Sequence, residues 1–150
     1  MQQRLELEQL YKAQPALPRA LQAINAAAKA AGLEASLIHL IKLRVSQING
    51  CAFCQHRHSN EARHDGERQS RLDVLPGWRE APGFTARERA ALAWAEALTL
   101  LASSDISDDL YAEVSREFPL EQLANLTAIV VEINGWNRIA VAFRVMPVLE

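Results

Sequence analysis

The chain has 150 residues, 49% hydrophobic and 23% charged, with a formal net charge of −2. This is ordinary composition for one globular domain spanning residues 1–150, long enough to bury roughly 70% of its unfolded surface without staples. No basic run offers a nucleic-acid footprint, no apolar stretch reaches the length of a membrane span, and Met1–Gln9 is too polar for a signal-peptide core, so a cytosolic protein with neither a nucleic-acid nor a membrane partner is expected.

Ala, Leu and Glu dominate, Gly and Pro fall between apolar stretches, and no alternating strand pattern stands out, which reads as an all-α bundle of about six or seven helices. The first is expected over Gln3–Ala13, ended by Pro15 and Pro18. Pro18 suits the first turn of a second helix that runs to Ala31 and stops at Gly32. A third, from Glu34 or Ser36 to Asn49, presents Leu37, Leu40, Ile41, Leu43, Val45 and Ile48, and Gly50 suits a left-handed stop just past its end. The fourth begins near Cys51 and runs to about His64. Arg57, Arg63, Arg68 and Arg71 alternate here with Glu61, Asp65 and Glu67, the pattern of a solvated face.

A Pro- and Gly-rich loop, Leu75–Phe84, follows. Thr85-Ala86-Arg87-Glu88 has the form of a capping box and opens a helix through Leu101. Ser107 or Asp108 caps a short helix to Phe118, and Pro119 opens a last long one to about Val145. That helix is apolar nearly all round, with Leu123, Leu126, Ile129, Val130, Val131, Ile133, Ile139, Val141 and Phe143, so it should be buried on most sides, in part by a second subunit. Glu132, Asn134 and Asn137 on it would then need polar partners.

Asn49-Gly50-Cys51-Ala52-Phe53-Cys54-Gln55-His56-Arg57-His58 carries the chemistry. It holds the only two cysteines, as Cys-x-x-Cys, in the first turn of the fourth helix. A cytosolic cysteine pair is catalytic or metal-binding rather than structural. A free thiol, with a pKa of about 8.5, is only a few per cent thiolate at neutral pH, and unpaired amides and the dipole at a helix start favour the anion. His58 lies four residues after Cys54, on the same helix face, where it can take the thiol proton and return it to a leaving oxygen. A thiolate that attacks a peroxide becomes a sulfenic acid, the neighbouring thiol condenses with it to a disulfide, and an external dithiol restores the pair.

Two other readings compete: inert packing cysteines, or a zinc site built from Cys51, Cys54, His58 and His64. Zinc is disfavoured because a structural site gathers ligands from separated pieces of chain, whereas these share one segment, with His58 and His64 on different helix faces. No metal and no cofactor is expected. His56 faces away from the pair. His39, on the preceding helix, can approach it, although a polar residue tolerated on a partly buried helix is the commoner reading of such a histidine. Trp94 and Trp136 read as core or interface aromatics.

Leu43-Arg44-Val45-Ser46-Gln47-Ile48-Asn49-Gly50-Cys51-Ala52-Phe53-Cys54, followed by His58, resembles the core of the alkylhydroperoxidase D-like proteins of the carboxymuconolactone decarboxylase superfamily. Thr85-Ala86-Arg87-Glu88-Arg89-Ala90-Ala91-Leu92 resembles the family's second core helix, and Ile133–Ala140 the tail of its short members. The resemblance implies an all-α homo-oligomer, often a trimer or hexamer. It implies Cys54 as the peroxide-attacking thiol, Cys51 as the resolving thiol, His58 in the proton relay and a lipoylated protein as dithiol reductant. Two positions depart from the peroxidase pattern. His39 stands where it carries a glutamate, and Phe53 where a histidine lies between the cysteines.

The expected function is therefore a thiol-dependent peroxidase acting on hydroperoxides, with Cys54, Cys51, His58 and His39 as catalytic residues. His39 or a carboxylate such as Glu34, Glu61 or Glu132 would complete the relay. The alternatives are a non-catalytic redox-sensing thiol protein and a decarboxylase-like enzyme acting on a small organic acid, though decarboxylase members typically lack the cysteine pair.

Overall fold

Eight α-helices form within residues 2–149, the part of the chain that the computed structural model describes, and no strand forms among them. They are α1 (Leu7–Ala13), α2 (Ala16–Ala30), α3 (Ala35–Ile48), α4 (Ala52–His64), α5 (Gln69–Asp73), α6 (Ala86–Thr99), α7 (Asp108–Glu117) and α8 (Leu120–Phe143), with one 3₁₀ turn at Leu75–Gly77. The helix starts are chemically explicit. The Thr85 hydroxyl accepts from the amide of Glu88, and the Glu88 carboxylate accepts from the amide of Thr85, closing the expected box. Ser107 caps α7 by accepting from the amide of Leu110. Pro18 falls in the first turn of α2, where its missing N–H costs nothing.

α3 is the central element. Nine of its fourteen residues are buried, more than one face can supply, and it packs against α4, α6 and α8. Leu40, Ile41 and Val45 meet Leu92, Leu126, Ile129 and Ile133 in one continuous core. Full burial of each such side chain stabilises by roughly 1.5–3 kcal/mol. A charged post braces the rim of this core. Glu96 of α6 accepts from Arg44 Nε at 2.8 Å, from Trp78 Nε1 at 2.9 Å and from Arg79. Burial pushes its carboxyl up, but these three donors outweigh burial and hold it below the usual range.

Three details differ from the sequence expectation. α1 begins at Leu7 rather than Gln3, because Glu6 and Gln9 form a reciprocal box that fixes its start. The five-residue α5 lies where no helix was expected, too short to show a period, with Leu72 its one buried residue. Arg71 does not join a solvated face. It lies mostly buried, pairs with Glu67 and Glu88 and stacks over the Phe84 ring, so it ties α5 to the start of α6.

Candidate active site

The cysteines sit where α3 turns into α4. Asn49 ends α3, Gly50 follows with φ +65° in the left-handed region, and Cys51 is extended as the N-cap of α4. A side chain at position 50 would strain this turn. The Cys51 sulfur accepts from the amide of Cys54 at 3.2 Å, satisfying one of the free donors at the helix start. Cys51 and Cys54 are joined by a disulfide, with Cα atoms 5.3 Å apart, and are 2% and 4% exposed.

The turn is clamped from α8. Asn49 Nδ2 donates to Asn134 Oδ1 at 3.0 Å and to Asn137 Oδ1 at 2.9 Å. Asn137 Nδ2 donates to Ser46 Oγ at 3.0 Å, and Ser46 donates to the carbonyl of Lys42 at 2.7 Å. Asn134 and Asn137 of α8 therefore find partners, and Ser46 and Asn49 are held in this network.

One turn beyond Cys54, His58 is buried and bonds through Nδ1 to Glu61 Oε2 at 2.9 Å. A carboxylate only accepts, so Nδ1 carries the hydrogen and Nε2 of the neutral ring keeps its lone pair. Burial pulls the pKa of His58 below its ordinary value, and the hydrogen bond and charge of Glu61 only partly restore it. The same bond, against the opposing effect of burial and with help from Arg57, holds the Glu61 carboxyl down at about 2. His39 is buried on α3 and bonds through Nε2 to Asp65 Oδ2 at 2.7 Å, while its Nδ1 has no partner.

These groups share one cavity of about 380 Å³. Cys54, His58, Glu61, His39, Asp65 and His64 line it, and Cys51 does not. Leu7 and Tyr11 of α1, Ile38, Phe53, Trp136 and Ile139 supply apolar wall. Lys42 and Glu132 face each other in the same wall as a buried ion pair, 3.0 Å apart, with Lys42 also donating to Asn25 Oδ1 at 2.9 Å. Burial pulls the Lys42 ammonium down, opposed by Glu132.

All four residues picked from sequence thus lie together, three on the cavity wall and Cys51 directly behind Cys54 through the disulfide. The four residues counted for zinc do not assemble: among the described residues no group of three or more His, Cys, Asp or Glu is placed to hold a metal ion. Sequence reasoning missed Lys42, one turn after His39 on the same face. It named Trp136 without placing it at the site, and Glu132 only as one of three candidates for the relay. A lysine inside the apolar stretch Leu37–Val45 was the available signal, since buried lysines need a partner.

Fold and site define a class: an all-α protein with a Cys-x-x-Cys disulfide at a helix start and a histidine one turn later. The model of the carboxymuconolactone decarboxylase family matches residues 15–97, and the chain belongs to that family as an alkylhydroperoxidase D-like member. It is 44% identical over 103 residues to the uncharacterized protein YdfG of Bacillus subtilis (strain 168), covering 69% of this chain and 70% of YdfG. The crystal structure of ATU0492 from Agrobacterium tumefaciens, a protein of unknown function described as a candidate antioxidant defence protein AhpD, superposes with a TM-score of 0.91 at 40% identity. The match covers 99% of this chain and 100% of that one. The apo debrominase Bmp8 superposes with a TM-score of 0.76 at 22% identity, over 89% of this chain and 72% of Bmp8, a likeness of fold alone. No helix among the described residues is long and apolar enough to cross a membrane.

Proposed function

We propose that this protein is a thiol-dependent peroxidase that reduces hydroperoxides through a dithiol–disulfide cycle of Cys51 and Cys54. The observation that carries this reading is the asymmetry of the pair: Cys54 opens on the cavity that holds His58, whereas Cys51 lies behind it. The description of ATU0492 as a candidate antioxidant protein supports it at 40% identity. In the reduced protein, His58 Nε2 takes the proton of Cys54, and the thiolate attacks the outer oxygen of the hydroperoxide. The S–O bond forms as the O–O bond breaks, and His58 returns its proton to the departing alkoxide. The thiol of Cys51 then attacks the sulfenic sulfur, water leaves, and the disulfide forms. A dithiol must restore the pair, and a lipoyl protein is the reductant favoured here.

His39, hydrogen-bonded to Asp65 and lining the same cavity, serves as a second proton carrier. The working form is a homo-oligomer, a trimer or hexamer, assembled on the outward side of α8, where Val131 and Val141 are 58% and 49% exposed. We take the chain as one domain acting in the cytosol without a bound cofactor. Peroxide consumption measured with several reductants, a lipoyl protein among them, tests the reading beside Cys54→Ser and Cys51→Ser. Both variants should lose turnover. Full activity in both overturns the peroxidase and points to decarboxylase-like chemistry. Negligible turnover in the unaltered protein, with a shift of assembly on oxidation, points to a redox-sensing thiol protein.

A further inference from the structure

The cavity wall contains one feature that the cysteine–histidine chemistry does not use. Glu132 is 2% exposed and one of its carboxylate oxygens is fully engaged: Oε1 accepts from Lys42 Nζ at 3.0 Å and from Trp136 Nε1 at 2.9 Å. Its other oxygen, Oε2, is buried and has no donor among the described residues. A buried carboxylate oxygen without a donor is costly and calls for a partner. Lys42 is the complement. Its ammonium carries three N–H groups, of which Asn25 Oδ1 and Glu132 Oε1 take two. The third is spare.

The pair is built from three helices, with Asn25 on α2, Lys42 on α3 and Glu132 on α8, so its position is fixed by the core. It lies within electrostatic reach of His58, whose pKa is lowered in part by the charge of Lys42. Both residues line the cavity of Cys54, and a small shift of the carboxylate brings its closed-off acceptor, with the spare donor beside it, to a molecule bound there. A hydroperoxide, R–O–O–H, presents the matching pair: an O–H donor on the outer oxygen and, one bond away, lone pairs on the inner oxygen.

We propose that Lys42 and Glu132 form the hydroperoxide-recognition subsite, with Glu132 Oε2 accepting the O–H and Lys42 donating to the inner oxygen. This rests on the peroxidase reading above. So held, the outer oxygen is turned toward Cys54. Its thiolate gives two electrons to the peroxide as the S–O bond forms. The O–O bond breaks, and the electron pair leaves on the inner oxygen. There the Lys42 hydrogen bond stabilises the alkoxide until the His58 proton reaches it. The outer oxygen keeps its hydrogen and stays on sulfur as the sulfenic acid, so the products are Cys54–SOH and ROH. Electrostatic help at the leaving oxygen, absent in the unreacted thiol, belongs to the transition state.

The test is single-turnover oxidation of the reduced full chain by an organic hydroperoxide, beside alkylation of Cys54 by iodoacetamide at the same pH. Alkylation reads thiolate reactivity but needs no O–H recognition. In Glu132→Gln the amide oxygen keeps the Lys42 and Trp136 bonds, which puts the NH₂ donor where Oε2 was. Oxidation should slow by about tenfold or more while alkylation changes by less than about twofold, the loss expected for one hydrogen bond to a charged group. Glu132→Asp keeps the charge but sets the carboxylate back by one methylene. It should show the same split, and it serves if the glutamine variant fails to fold. Equal slowing of both reactions overturns the proposal, because Glu132 would then act on the thiol. Unchanged oxidation in both variants overturns it alone. An unaltered protein that no hydroperoxide oxidises removes the peroxidase reading and this subsite with it.

Discussion

At the scale of single residues, the pairing of His58 with Glu61 decides how the site responds to pH. The neutral ring is favoured by burial, and Glu61 pulls the other way. If His58 is the base, kcat/KM for peroxide should fall as acid protonates it, with a midpoint below its ordinary 6.5. In Glu61→Gln the midpoint should move lower still, since the bond that raised the pKa is gone. Stability follows the same sign. Glu61 has a folded pKa of about 2 against an ordinary 4.5, so its contribution is complete above 4.5 and is lost as pH falls toward 2. His58 binds a proton less readily folded than unfolded, so stability also declines as pH drops below 6.5. At neutral pH, where the contribution of the ionised carboxylate is complete, Glu61→Gln should lower the midpoint of thermal melting. An unchanged midpoint would mean that Glu61 carries no native-state bond.

Sequence could find His58 from its spacing to Cys54, but not its carboxylate. Glu34, Glu61 and Glu132 were equal candidates because the choice depends on where the partners lie. Glu34 is taken by Arg87 and Glu132 by Lys42, contacts that span 53 and 90 positions. Only Glu61, three residues away on the same helix, bonds His58.

Among the elements, α8 shows most clearly what patterning conveys and what it leaves open. Its apolar sequence signalled burial on most sides, yet Val131 and Val141 remain exposed, and the buried side also carries Glu132 and Asn137. Which residues turn inward depends on the close approach of α2, and Gly135 sets that approach. A Cβ placed at 135 would lie 3.0 Å from Cδ2 of Leu21 and 3.5 Å from Cδ1. Gly135→Ala meets only the end of a flexible side chain, and its gain in helix propensity of up to about 1 kcal/mol offsets the squeeze. Gly135→Leu cannot be absorbed this way. It should destabilise by about 1–3 kcal/mol in urea unfolding, and it should slow peroxide oxidation as well, because Trp136 and Glu132 on the same helix lose their register with Asn25. Unchanged unfolding in Gly135→Leu would mean that α2 and α8 are not held this close. The capping box of α6 was legible because it is local, three residues from donor to acceptor. α5 was not, because five residues with one buried leucine carry no period.

For the whole molecule, the question is how a buried disulfide is reduced. Cys51 and Cys54 are nearly inaccessible, yet the proposed cycle requires a dithiol to reach one of the two sulfurs. Cys54 lines the cavity, and α1 forms one of its walls through Leu7 and Tyr11. α1 is also the helix with least holding it. It has no buried residue, and among the helices its main packing partner is α2. Tyr11 meets Trp136 edge to face, and Arg4 ties the segment before α1 to the carbonyls of Ala142 and Phe143 near the end of α8. Elements with few buried contacts open at low free-energy cost. Opening of α1 should therefore govern access to the disulfide. A chain lacking residues 1–13 should be reduced by dithiothreitol several-fold faster than the full chain, with the midpoint of urea unfolding little changed, because the core of α3, α6 and α8 is untouched. Hydrogen exchange should show the α1 amides among the fastest of any helix. Equal reduction rates in the two chains would mean that the reductant enters elsewhere, and that α1 is fixed wall rather than gate.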